Sequence, residues 1–172
     1  MVVRTASRPG MVRWAEWSEI EGDMWRIPAD KMKMRRDHVV PLSPQVIELI
    51  EALRPINGHS RYLFAGEGGK VPVISDAAIN SCFAKVGYKL KMTGHGSRHT
   101  AKTLLSEHGW PREWTEMQLA HKPAGLEGTY NKASYLKQRQ VMMDWYNEYL
   151  DALEAGMTED MQQEFDARVI RG

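Results

Sequence analysis

Four short stretches of this sequence carry side chains able to grip an oxyanion and move protons. They are Arg8-Pro9-Gly10, Lys33 ahead of an apolar strand, His95-Gly96-Ser97-Arg98, and Leu119-Ala120-His121 followed by Tyr130. A guanidinium is a planar fork of donors that fits two oxygens of one phosphate, a task a lysine point charge performs less well. Imidazole exchanges protons near neutrality. A phenol, with an ordinary pKa of ~10, becomes a nucleophile only when something takes its proton. Each stretch alone also has a plainer reading. Arg8 would be a surface arginine at a helix start, where its charge opposes the macrodipole. Lys33 shares a basic turn with Lys31, Arg35 and Arg36. Gly-Ser-Arg-His would be loop and cap chemistry.

Other candidates are weaker. His95, His99 and His121 suggest a metal, but no carboxylate or cysteine completes a ligand spacing, so none is expected. Gly66-Glu67-Gly68-Gly69 lacks the Lys-Ser/Thr and helix of a phosphate loop. His99 should face away from Arg98 on a helix and be structural or a support to the site residues, and His108 reads as a cation near a helix end. His38 and His59 read as surface residues, and Tyr135 as packing.

The elements that must position these residues are mostly helical. Pro9 opens a helix expected to run to about Ile20. Met24–Pro28 and His38–Leu42 read as two strands joined by the basic stretch 31–36. Ser43 and Pro44 start a helix limited by Pro55, with Val46, Ile47, Leu49, Ile50 and Leu53 at helical spacing. Tyr62-Leu63-Phe64 is a candidate short strand. Helices are expected from Ser75 to about Val86, from Thr93-Gly94-His95 to about His108, over 112–120, and from about Ser134 to Leu153. In the last of these, Met142, Trp145, Tyr149 and Leu153 form an apolar stripe. Gly156 separates off a final polar helix. The fold class is therefore mostly α (α+β), with a small antiparallel sheet near the N-terminus.

Length and composition suit one soluble domain: 172 residues, 42% hydrophobic and 26% charged. No apolar run approaches the ~20 residues of a membrane span. A single cysteine, Cys82, excludes an intrachain disulfide and fits a reducing cytoplasm. The net charge of +1 conceals an asymmetry, with 21 Lys/Arg against 14 Asp/Glu up to Gln140 and 2 against 8 thereafter. A basic body with an acidic tail fits a phosphate-binding face plus a protein-contact or solvated segment.

In order and spacing the four stretches resemble the signature of tyrosine recombinases, in particular the integrases of temperate phages and genomic islands. That pattern has an Arg in a Thr-Gly-x-Arg-x-Gly-Glu turn, a Lys in a β-hairpin and His-x-x-Arg. Gly-His or Ala-His follows, with a Tyr nine residues beyond that His. Here the first turn reads Thr5-Ala6-Ser7-Arg8-Pro9-Gly10, and His121 and Tyr130 keep the separation. Val39-Val40-Pro41-Leu42, Thr93-Gly94-His95-Gly96 and Thr129-Tyr130-Asn131 extend the likeness over about Arg4 to Leu153.

The resemblance implies metal-free cleavage and rejoining of DNA, with no cofactor. Tyr130 would attack the phosphate to form a 3′-phosphotyrosyl bond, and His95 would take its proton. Arg8 and Arg98 would hold the non-bridging oxygens, Lys33 would protonate the leaving 5′-hydroxyl, and His121 would hydrogen-bond the phosphate. The implied partners are double-stranded DNA at an attachment-site core and a homotetramer of the full-length protein on that DNA. The implied setting is the bacterial cytoplasm, at the nucleoid.

Two departures matter. Met11 stands where the family turn has its acid, and Ala6 where it has glycine. The expected layout is a catalytic domain over 1–154, lacking its first helix and an N-terminal core-binding domain, with an acidic tail over 155–172. The alternative reading is a catalytically weak or inactive DNA-binding remnant of a prophage integrase. A topoisomerase that relaxes supercoils without choosing a site fits the surrounding residues less well.

Overall fold

The structure, a computed structural model, describes residues 1–32, 35–67, 71–121 and 134–171. It is mostly helical with one small antiparallel sheet near the N-terminus, as the hydrophobic patterning predicts. A short α1 (Val2–Thr5) leads to α2 (Pro9–Arg13), which Pro9 opens at its first position. The helix expected to reach Ile20 stops at Arg13. From there the backbone turns to a neighbour: Leu63 N–H donates to the Ala15 carbonyl (3.0 Å) and Trp17 N–H to the Arg61 carbonyl (3.2 Å). Paired sideways, those groups cannot extend the helix. The candidate strand at 62–64 is accordingly reduced to single bridges at Tyr62 and Ala65.

A capping box between Glu16 and Glu19 closes the 3₁₀ turn Trp17–Glu19 and leads into the sheet. Strands β1 (Ile20–Glu21), β2 (Met24–Ile27) and β3 (His38–Pro41) lie in the order β1-β2-β3. Trp25 faces Val40, and Ile27 faces His38. Helix α3 (Pro44–Asn57) runs past Pro55, because a proline in the last turn forfeits a single helical bond. Ser43 precedes it without a side-chain cap. Helix α4 (Ala78–Phe83) continues as a wider turn to Tyr88, where Gly87 takes a φ of +88°. Then come α5 (Gly96–Glu107), α6 (Arg112–Gln118), the 20-residue α7 (Leu136–Ala155) and α8 (Glu159–Ala167).

Two cores result. One packs Trp25, Ile27, Val40 and Leu42 of the sheet region against Val12, Val46, Ile50 and Leu63. The other joins Ala101, Leu105, Trp110 and Leu119 to Met142, Trp145 and Tyr146 of α7 and to Phe165 and Val169 at the chain's end. The acidic segment thus contributes to the core. Trp145 Nε1 donates to the Phe165 carbonyl (2.9 Å), His108 Nδ1 lies 2.8 Å from Asp166 Oδ1, and the Trp145 and Tyr149 rings stack at 5.0 Å. No helix among the described residues is long and apolar enough to cross a membrane.

If α8 is part of the folded unit, Phe165→Ala removes a buried ring and should destabilise the protein by about 3–5 kcal/mol in urea denaturation. A loss of less than about 0.5 kcal/mol, the ordinary effect of an exposed residue, would show the helix to be a loose appendage.

Candidate active site

The site assembles on one turn of backbone, Leu119-Ala120-His121, at the end of α6. Arg98 is the third residue of α5 and only 4% exposed. Its guanidinium donates to the Leu119 carbonyl (2.8 Å) and, on its other arm, to the Ala6 carbonyl. Arg8 precedes Pro9 in extended conformation and donates from Nη2 to the Ala120 carbonyl (3.0 Å). Burial, with the neighbouring Arg8 charge, pushes the Arg98 pKa down to about 10, which leaves it protonated at neutral pH. Two cations therefore share one partly dry corner, an arrangement that attracts an anion.

His121 completes the turn. Its Nδ1 lies 2.6 Å from Glu116 Oε2, and the other oxygen of Glu116 pairs with Lys102 at 2.6 Å. Burial works to raise the Glu116 pKa, but its bonds to Lys102 and His121 outweigh it and hold the carboxylate below its ordinary range. A carboxylate on Nδ1 fixes the ring's orientation and turns Nε2 to the other side.

His95 stands at the N-cap of α5, exposed, one turn ahead of Arg98. The helix starts there because Thr93 Oγ1 accepts the Gly96 N–H (2.8 Å). Gly94 permits the approach: a Cβ on it would lie 2.9 Å from both Pro9 and Ile79. His99 faces away from the buried Arg98, as expected, and lies exposed one turn on from His95 on the same side of the helix. The two Nε2 atoms are 3.2 Å apart.

Lys33 and Tyr130 lie outside the described residues. Lys31, the competing lysine of the basic turn, is engaged by Glu16 (2.6 Å) and by Glu19. Met11 is half-buried against the sheet core and lines a cavity of about 220 Å³ with Gly10, Trp14, Glu19, Ile27 and Lys31.

The family model described as the phage integrase family matches residues 1–137. The chain belongs to the phage integrase family. It is 40% identical over 168 residues to the prophage integrase IntZ of Escherichia coli K12, covering 95% of this chain and 41% of that protein. To the integrase of Shigella phage Sf6 it is 40% identical over 151 residues, 86% of this chain and 39% of the relative. It thus spans well under half the length of either. The XerA recombinase crystal structure superposes with a TM-score of 0.59 at 18% identity, over 80% of this chain and 55% of that one. At that identity the likeness concerns the fold.

Sequence reasoning missed three members of this integrase-family site. His38, read as a surface residue, is 7% exposed at the start of β3, against which α7 packs. Burial first, then the charges of Arg139, Arg8 and Arg98, push its pKa down to about 3, against a smaller upward pull from a Gln118 backbone hydrogen bond. Arg139 and Gln118 are the other two, both buried and bonded to each other (2.8 Å). Periodicity gave no signal for them, because a helical pattern treats arginine and glutamine as solvent-facing.

Two of the three carbonyls that accept from Arg8 and Arg98 come from strained residues. Ala6 (φ 51°) and Ala120 (φ 49°) are both left-handed, a conformation that costs a residue with a Cβ about 1–2 kcal/mol. Ala120→Gly should therefore stabilise the fold by about 1 kcal/mol. Ala6→Gly should be nearly neutral, since it also gives up a buried methyl worth about 0.8 kcal/mol. Urea midpoints measure both, and equal gains would refute the assigned difference.

His38 also sets a pH dependence. Its neutral form is favoured in the fold, while the unfolded chain takes up a proton near 6.5. Stability is then full above about 6.5 and declines as pH falls toward 3. Glu16, held down to about 2 first by its Arg61 hydrogen bonds, adds a loss only below about 4.5. Between pH 6.5 and 4.5 the melting temperature should fall in the wild type and fall much less in His38→Gln. Parallel slopes would remove His38 as the cause.

Proposed function

We propose that this chain is the catalytic module of a site-specific DNA recombinase that cuts and rejoins strands through Tyr130. The observation that carries the reading is the pair of guanidiniums, Arg8 and Arg98, bonded to successive carbonyls of the turn that ends in His121. With the α5 N-terminus beside them, they form a preorganised seat for a phosphodiester.

In that seat the Tyr130 oxygen attacks phosphorus and the bond to the 5′ oxygen breaks. The phenol proton passes to His95, and Lys33 supplies a proton to the leaving 5′ oxygen, which departs as a hydroxyl. Arg8, Arg98 and His121 offset the charge that grows on the non-bridging oxygens. The phosphotyrosyl bond keeps the ester linkage, so reversal by another 5′-hydroxyl reseals DNA without ATP, metal or other cofactor. The commitment of Lys31 to Glu16 and Glu19 favours Lys33 for the acid role. The substrate is double-stranded DNA at an attachment core, acted on by a homotetramer of the full-length protein in the bacterial cytoplasm.

Met11 is the one feature favouring a weakened remnant, since no acid follows Arg8 in its turn. Against that, Arg8 is oriented by the Ala120 carbonyl instead. The cavity beside Met11 also has room for a carboxylate, with Lys31 on its wall.

A nicked suicide substrate carrying the attachment core, resolved on denaturing gels, tests both readings. Wild type should yield a covalent adduct. Tyr130→Phe should yield none while binding DNA nearly as well, with an affinity that falls steeply with salt. An adduct that persists in Tyr130→Phe would end the assignment. Adduct formation seen only in Met11→Glu would favour the remnant.

A further inference from the structure

We propose that Arg139 and Gln118 are positioning residues for strand cleavage, a buried pair that holds three site-bearing segments in register. The proposal rests on the recombinase reading above and assigns neither residue a contact with DNA.

Arg139, near the start of α7, is 1% exposed. Its Nε and Nη2 both donate to Gln118 Oε1, at 3.1 and 2.8 Å. Nη2 also donates to the Val39 carbonyl of β3 (2.8 Å), and Nη1 to the Ser134 carbonyl (3.3 Å). Gln118 in turn donates through Nε2 to the Thr5 carbonyl (2.9 Å). One planar group therefore binds the strand following the Lys33 turn, the helix whose next turn ends in His121, and the backbone four residues after Tyr130. Through Gln118 it also reaches the segment that leads into Arg8.

Chemistry explains why an arginine is needed there. Burying a guanidinium carries a heavy desolvation cost, and a methionine of similar length would fill the space without it. Its partners here are a neutral amide and backbone carbonyls, so ion pairing does not offset that cost. What the charge brings is a fixed geometry of several donors on acceptors from three segments, which no apolar side chain and no single ammonium can reproduce. The covalent step requires an in-line approach, and a misplacement of about 1 Å costs a reaction about 10²-fold.

The test compares wild type with Arg139→Lys, which keeps the charge and loses the fork. Gln118→Glu is the second variant; it keeps the acceptor for Arg139 and loses the donor to Thr5. Single-turnover adduct formation is read on ordinary DNA and on DNA with a bridging 5′-phosphorothiolate, whose leaving group needs no proton. Both variants should melt cooperatively and bind DNA within about twofold of wild type, yet form adduct about 10–10²-fold more slowly. The same factor should appear on the thiolate, because a misaligned nucleophile is not rescued by a better leaving group.

Hydrogen exchange supplies a readout independent of DNA. Arg139→Lys should exchange faster over residues 1–8 and 116–121, and Gln118→Glu over 1–8 alone. Wild-type rates on both substrates, a defect confined to affinity, a defect erased by the thiolate, or unchanged exchange would each overturn the proposal. If Arg139→Lys does not fold, Gln118→Glu decides by the same measures. Wild-type silence on every DNA would instead count against the recombinase reading, with the exchange data still testing the pair.

Discussion

One side chain, Arg98, closes the molecule on itself. It reaches from α5 back to the Ala6 carbonyl, 92 residues earlier in the chain, and forward to Leu119, 21 residues later. A buried cation must satisfy its donors or unfold its surroundings, so the positions of those two loops are set by the arginine as much as by apolar packing. Arg8 repeats the device with the next carbonyl, at Ala120. Both arginines thus act as ties between segments far apart in sequence. The same bonds fix the backbone where these loops meet.

The arrangement sits at the seam between the two cores. Ala6 belongs to the core built on α5, α6 and α7, whereas Ala120 packs against the sheet core. Arg139 crosses the same seam from α7 to β3. Apolar contacts are non-directional and tolerate sliding of one core over the other. Guanidinium forks do not, because their donors have fixed angles. The cores supply stability, and the buried Arg98 and Arg139, with the half-buried Arg8, supply register. The electrostatic consequence appears at His38, where the imidazole among these cations stays neutral well below its usual range.

Much of this was legible in the sequence. Alternation around Trp25 and Val40 announced the hairpin, and the stripe Met142, Trp145, Tyr149 and Leu153 announced the inner face of α7, except that Leu153, near the helix end, is exposed. Spacing from His121 to Tyr130, with His95 and Arg98, announced the family. What failed to show was of two kinds. The helix after Pro9 read as longer than it is, because Trp14 and Trp17 fit a helical face; the competing pairing with Arg61 and Leu63 is long-range and leaves no local mark. His38 read as surface because polarity is the usual sign of exposure, and Gln118 and Arg139 drew no reading for the same reason. Their burial depends on partners up to 113 residues away, which no window along the chain contains.

Ala6 and Ala120 connect the strain of the backbone to the same design. Both carbonyls point at arginines only because their residues take left-handed conformations, and neither is glycine. Strain of about 1–2 kcal/mol at each is sustained by a charge-assisted bond of about 1.5–3 kcal/mol. The balance favours the bonded state narrowly, so each loop's geometry is conditional on its arginine. An anion drawing Arg8 or Arg98 toward itself would work against that bond and would be felt in the backbone of the Leu119–His121 turn. On the proposed function, phosphate occupancy would bear on the placement of His121 through the peptide bonds that join it to Leu119 and Ala120.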